Sequence, residues 1–186
     1  MFPNGGMMMC IQPVRAIRRI STLLAVAVGL SLSGCGVTGS DWKVAEGDQL
    51  QDFTLPDSSG KYVSLSDFNA KAIVLSRFAT WCPPCQVELK SLQAEVWEKM
   101  KDNGVVVIAV SNEDPETVRK YAEREGLTFP VLVDDDGEVA EATGGNSIPR
   151  TLLLDSNLTI RRLEIGFYEP KFREMIGQIE ELAASQ

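Results

Sequence analysis

The chain of 186 residues has no histidine, and only four of its residues are cysteine. Without an imidazole, the commonest ligand for transition metals is missing. A Cys-x-x-Cys pair can be half of a structural zinc site, but such sites take four protein ligands. Cys82 and Cys85 have neither a histidine nor a second spaced cysteine pair to complete that set, so no metal is expected; the thiol chemistry read below implies no organic cofactor either. Long apolar runs are scarce too: Ile20 to Leu32 is mostly apolar but too short to span a bilayer comfortably as a permanent helix. Basic residues are in deficit, with 18 Lys and Arg against 26 Asp and Glu. A surface this acidic gives no support to nucleic-acid binding, and none is expected.

What is present divides at Cys35. Arg15, Arg18 and Arg19 form a basic region ahead of the apolar run, which ends in Leu32-Ser33-Gly34-Cys35. This resembles the lipobox of bacterial lipoproteins, in which the cysteine is acylated and becomes the new N-terminus. An ordinary secretory signal or an uncleaved anchor is the plainer alternative. Residues 1–34 are read as a lipoprotein signal peptide, 35–46 as lipidated cysteine and tether, and 47–186 as one domain, lipid-anchored to a bacterial membrane and facing the periplasm or the exterior. Loss of the three leader arginines leaves 15 basic residues against 26 acidic ones, a balance of −11, so the lipid would have to supply the membrane affinity. The 152 residues from Cys35 onward are enough for one domain with a real core.

Asp52 to Leu55, a turn at Pro56 to Gly60, and Lys61 to Leu65 read as two short strands joined by a turn. Ala72 to Leu75, continuing to Phe78, is an apolar run of buried-strand length, and Val105 to Val110 is a second. Between them a helix is expected to begin around Cys82 to Pro84, where proline is tolerated in the first turn. Leu89, Leu92, Val96 and Met100 recur at helical spacing, and Asn103-Gly104 closes the helix. A further helix is expected from Asp114-Pro115 to Gly126, then strands at Val131 to Val133, Thr151 to Leu154 and Leu158 to Ile165. A last helix runs from Glu169-Pro170 to about Leu182. Asp134 to Gly137 reads as a strand-ending turn rather than a calcium loop, since no spaced acidic series follows. The order predicts an α/β fold, a central sheet covered by helices and preceded by two short strands.

Trp81-Cys82-Pro83-Pro84-Cys85 carries the chemistry. A thiolate at a helix N-terminus is stabilised by the positive end of the helix dipole, which suits Cys82 as nucleophile. Cys85, one turn on, would resolve the mixed disulfide. A purely structural disulfide is the alternative, but a bridge across two residues closes too small a loop to add much stability. Pro83 and Pro84 have no N–H to offer the Cys82 sulfur, which predicts a less stabilised thiolate and a lower reduction potential.

The stretch Phe78-Ala79-Thr80-Trp81-Cys82-Pro83-Pro84-Cys85 resembles the active site of TlpA/ResA-type thioredoxin-like proteins. The likeness extends through Phe53-Thr54-Leu55-Pro56-Asp57, Val63 to Phe68, Phe129-Pro130-Val131-Leu132-Val133-Asp134 and Ile148-Pro149, covering nearly all of residues 47 to 183. The resemblance implies a thioredoxin-like fold, a central mixed β-sheet flanked by helices with an N-terminal β-hairpin extension. With the paired prolines it points to an extracytoplasmic thiol-disulfide oxidoreductase, a monomer, that reduces protein disulfides through Cys82/Cys85 exchange, with apocytochrome c as one such substrate. A membrane thiol-transfer protein would supply its electrons. It also implies that Pro149 is a cis-proline, that Ile148 and Pro149 present the substrate, and that Glu88 tunes thiol protonation. Glu88 lies three residues after Cys85, on the same helical face; the bland alternative is a solvated glutamate favouring the helix N-terminus. Trp81 is expected to pack beside the disulfide and shape the docking surface.

Departures from the family pattern include Ser76, Arg77, Lys90, Thr143, Ser147 and Arg150. For Arg77 the expectation is a side chain that reaches out to solvent; Arg150 admits that reading or a charge acting near Cys82. Rival functions are a thiol oxidase or isomerase on the same fold, a peroxiredoxin, a copper-delivery module and a non-catalytic lipoprotein binding module. Leu75 stands where the peroxiredoxin pattern needs proline, and the usual copper site needs a histidine.

Overall fold

The computed structural model describes residues 41–185; the leader and Cys35, with the expectations attached to them, lie outside these residues. A two-stranded antiparallel hairpin, β1 (Thr54–Pro56) and β2 (Tyr62–Ser64), precedes a five-stranded sheet. That sheet holds β3 (Ala72–Arg77), β4 (Val105–Ser111), β5 (Val131–Val133), β6 (Arg150–Asp155) and β7 (Ile160–Ile165), in the order β5-β4-β3-β6-β7. β3, β4 and β5 run parallel, β6 pairs antiparallel with β3, and β7 pairs antiparallel with β6. This is the mixed sheet with an N-terminal hairpin that the resemblance implies.

Strand parity sorts the core into two layers, because successive side chains point to opposite faces. Ala72, Val74, Val105, Val107 and Leu153 pack under α1 (Pro83–Ser91), α3 (Pro115–Glu125) and α5 (Glu169–Ala184). Ile73, Leu75, Ile108, Leu152 and Leu154 face the hairpin, Phe53 and Val139 of the short α4 (Glu138–Thr143). Each wholly buried Val or Leu contributes roughly 1.5–3 kcal/mol relative to exposure. The same parity carries the polar residues at the strand ends: Ser76 lies opposite Thr151 on the α1 face, and Arg77 opposite Arg150 on the other.

The helix after the cysteines continues as a π-helical segment at Leu92–Trp97, then α2 (Glu98–Met100) and a 3₁₀ turn ending at Gly104, whose φ is 83°. Leu92, Val96 and Met100 are spaced by two successive steps of four, which drift around a 3.6-residue helix; widening the turns keeps all three buried. Asp114 caps α3 through Thr117 N (3.0 Å), and Gly126 ends it. The sequence reading missed α4, which is only six residues long and too short to show a period.

Both sheet edges are blunted. β5 is three residues long and is met at Leu132 by a bridge from Asp57. β7 is engaged at Ile160 by residues 47 and 48 and carries Arg161, Arg162 and Glu164 beyond that point. No helix among the described residues is long and apolar enough to cross a membrane.

Candidate active site

Cys82 sits at the N-cap of α1, with Pro83 and Pro84 as the first helical residues. Its sulfur is bonded to that of Cys85, with Cα atoms 5.3 Å apart. Both cysteines are buried, and Cys82 Sγ accepts one backbone hydrogen bond, from Cys85 N at 3.3 Å. The Ile148–Pro149 peptide is cis, as the resemblance implies, and the Ile148 carbonyl oxygen lies 3.9 Å from Cys82 Sγ. Trp81 is largely exposed. It shares with Ala79, Ile148, Arg77, Asn112 and Asp134 the lining of an open cleft of about 280 Å³ beside the motif.

The loop ahead of Cys82 is clamped from both sides. Thr80 donates to Glu113 from its backbone N (2.6 Å) and its hydroxyl (2.8 Å), and its carbonyl accepts from Gln86 Nε2 (2.7 Å). Glu113 is brought there by the end of β4, and nothing in the local sequence marks it. Replacing it with Ala removes two charge-assisted bonds to Thr80, and urea unfolding at pH 7 should register a loss of about 2 kcal/mol. A loss of only a few tenths would show that the loop holds itself.

Glu88 is buried beneath the cysteines, which excludes the solvated alternative. Ser76 Oγ donates to Oε2 and Thr151 Oγ1 to Oε1, both at 2.8 Å. Burial raises its pKa to about 7 despite these two bonds, and Glu164 adds to the upward shift. The two hydroxyls can rotate, so one of them can accept from a protonated carboxyl while the other still donates. A cavity of about 10 Å³, with room for about one water, joins Glu88 to Glu164, Tyr168 and Lys171. Ser76 and Thr151 complete a site that the sequence reading did not assemble. The available signal was one polar residue at the end of each of two apolar strands.

Arg77 does not reach for solvent. Its Nη1 donates to the carbonyls of Gly144 (2.8 Å) and Gly145 (3.2 Å) and to Thr143 Oγ1 (3.3 Å). Desolvation and the neighbouring Arg150 lower its pKa, though Asp134 and Asp41 oppose the shift. The reason is parity: on the α4 side of β3, those loop carbonyls lie above the strand end and take the donors that water would otherwise take. Arg150, one residue after the cis-proline, is wholly buried.

No group of three or more His, Cys, Asp or Glu arranged to hold a metal ion occurs among the described residues. Residues 46–163 match the AhpC/TSA family. The thiol-disulfide oxidoreductase ResA of Geobacillus thermodenitrificans is 34% identical over 148 residues, 79% of this chain and 84% of that one. The ResA protein of Bacillus subtilis is 31% identical over 79% of this chain and 82% of its own. Among solved structures, a thiol:disulfide interchange protein of the thioredoxin family from Chlorobium tepidum superposes with a TM-score of 0.60 at 26% identity, covering 73% of this chain and 97% of that one. A helix-capping Cys-x-x-Cys disulfide, a facing cis-proline and these relatives lead to one assignment: the chain belongs to the AhpC/TSA family and, within it, to the ResA-type thiol-disulfide oxidoreductases.

Proposed function

We propose that this oxidoreductase works as a reductase of protein disulfides outside the cytoplasm. Cys82 attacks, Cys85 resolves, and Glu88 takes and returns the Cys85 proton. Trp81, Ile148 and Pro149 form the surface on which an extended substrate segment docks. The observation that carries the direction is the donor set at Cys82. One N–H, from Cys85, reaches its sulfur, and Pro83 and Pro84 have none to add. A thiolate with few donors is a poorer leaving group and a stronger reductant than one held by several. The small cavity at Glu88 supports its part, since it offers the buried carboxyl a way to exchange a proton toward Lys171 and Glu164.

The lipobox-like Leu32-Ser33-Gly34-Cys35 supports lipidation at Cys35, and with it a membrane-bound enzyme facing the periplasm or cell exterior. A reductase in an oxidising compartment consumes electrons, so a membrane thiol-transfer protein is the partner this reading requires. Apocytochrome c is a substrate that the resemblance alone brings in. Peroxide reduction is disfavoured by Leu75 and Ala79, which stand where a peroxidatic pattern ending at Cys82 would have Pro and Thr.

The test is the equilibrium reduction potential of the Cys82–Cys85 pair, titrated in dithiothreitol or glutathione buffers. A value of about −270 mV or lower is expected, the range of thioredoxin-like reductants. A value near about −120 mV, typical of strong periplasmic oxidants, would make the enzyme an oxidase.

A further inference from the structure

We propose that Arg150 is a positioning residue for the substrate-presenting loop 143–149, held in that task by a strap made of Asp41 and Trp42. The proposal rests on the reading above, in which Ile148 and Pro149 present the substrate.

A guanidinium removed wholly from water costs several kcal/mol unless it is paired and hydrogen-bonded. Arg150 meets that cost by folding back on its own loop. Its Nη2 pairs with the Asp41 carboxylate and donates to Ser147 Oγ (3.2 Å), while Nε donates to the Ser147 carbonyl (3.4 Å). Its Cζ lies 4.1 Å from the centre of the Trp42 ring, a cation–π stack. The loop is moulded to this group. Gly145 has φ 67°, and a Cβ there would overlap the guanidinium. At Gly144 a Cβ would come within 2.6 Å of Asp41 O and Lys43 N. The strap itself is hydrogen-bonded down, with Lys43 N donating to Thr143 O at 2.9 Å and Trp42 bridged to Gly144.

Arg77 holds the start of the same loop by its carbonyls, so two arginines from adjacent strands fix 143–147 at both ends. The side-chain hydrogen bonds that Arg150 makes among the described residues end on Ser147, two positions before Pro149, and on Asp41 of the strap.

The experiment compares Trp42→Ala, Asp41→Ala, Arg150→Lys and Trp42→Phe in the full chain. The substrate is a cysteine peptide carrying a glutathione mixed disulfide. A loosened loop must be ordered when substrate docks, so KM should rise about tenfold in the first three variants while kcat and the reduction potential stay unchanged. Trp42→Phe, which keeps an aromatic face for the guanidinium, should restore most of the KM. Unchanged KM in Trp42→Ala and Asp41→Ala, with hydrogen exchange at Lys43 N–H showing the strap released, overturns the proposal. So does a loss confined to thermal stability. Failure of the unmodified enzyme to reduce the peptide would overturn the reductase reading, and this proposal with it.

Discussion

Changing Cys82 to Ser is expected to lower disulfide turnover by ~10³-fold or more, while Cys85→Ala keeps the first attack and stops after it. In the reduced enzyme the Cys82 thiolate displaces one sulfur of a substrate disulfide. One S–S bond forms between enzyme and substrate, the substrate's own S–S bond breaks, and the released sulfur takes up a proton. Cys85 then attacks the Cys82 sulfur, closing the pair again and leaving two electrons on the substrate as two thiols. The N-cap position of Cys82 and its proximity to the Ile148 carbonyl put that sulfur beside the loop proposed to dock the substrate, with Cys85 behind it inside the helix. A serine hydroxyl is not ionised near neutral pH and cannot make the first displacement. With Cys85→Ala the adduct has no resolving thiol and should accumulate, visible by intact mass as a covalent one-to-one complex that dithiothreitol releases. An adduct formed by Cys82→Ala but not by Cys85→Ala would reverse the two roles.

The second large effect belongs to Glu88→Gln. Burial raises this carboxyl to about 7 in the folded protein, above its ordinary value of 4.5. Between those two values the unfolded chain releases the proton that the folded one keeps, so stability falls as pH rises and levels off above about 7. The span corresponds to roughly 3 kcal/mol at 1.36 kcal/mol per pH unit. Gln has no charge to bury, and its amide can donate to Ser76 Oγ while its carbonyl accepts from Thr151. It should match the parent protein near pH 4.5 and exceed it in stability by a few kcal/mol at pH 8. Activity should move the other way. A base that takes the Cys85 proton contributes about 10²–10⁴-fold, so the Gln variant should resolve slowly and lose the rise in rate through pH 7. Denaturant titrations at pH 4.5 and 8, with single-turnover rates across that range, check both halves. A stability difference that does not grow with pH would show that the carboxylate is not paying a burial cost.

Much of this site can be read from the chain without coordinates, and the remainder shows where local patterns stop. The cysteine pair and its helix follow from residues adjacent in sequence, as do the buried strands at Ala72 and Val105. Glu88 could be placed on the Cys85 face by helical spacing, but its environment is made by Ser76 and Thr151, which meet it only because β3 and β6 pair in one register. Arg77 was expected in water because single-chain reasoning sees a charged residue at a strand end. The loop above it comes from α4, a helix too short to announce itself. The contact of Asp41 and Trp42 with Arg150 spans 109 positions for the ion pair and has no local signature at all.

The blunted edges of the sheet bear on selectivity. If extended segments dock as proposed, an open edge would capture them in any register. Here the short β5 is blocked by Asp57, and β7 is engaged at Ile160 and lined beyond it by charged residues already tied to Glu174 and Lys171. Under the proposed function, backbone pairing with a guest would be left to the loop at Pro149, beside Cys82. The features that guard a sheet against aggregation would then also turn such segments away from places where no chemistry can follow.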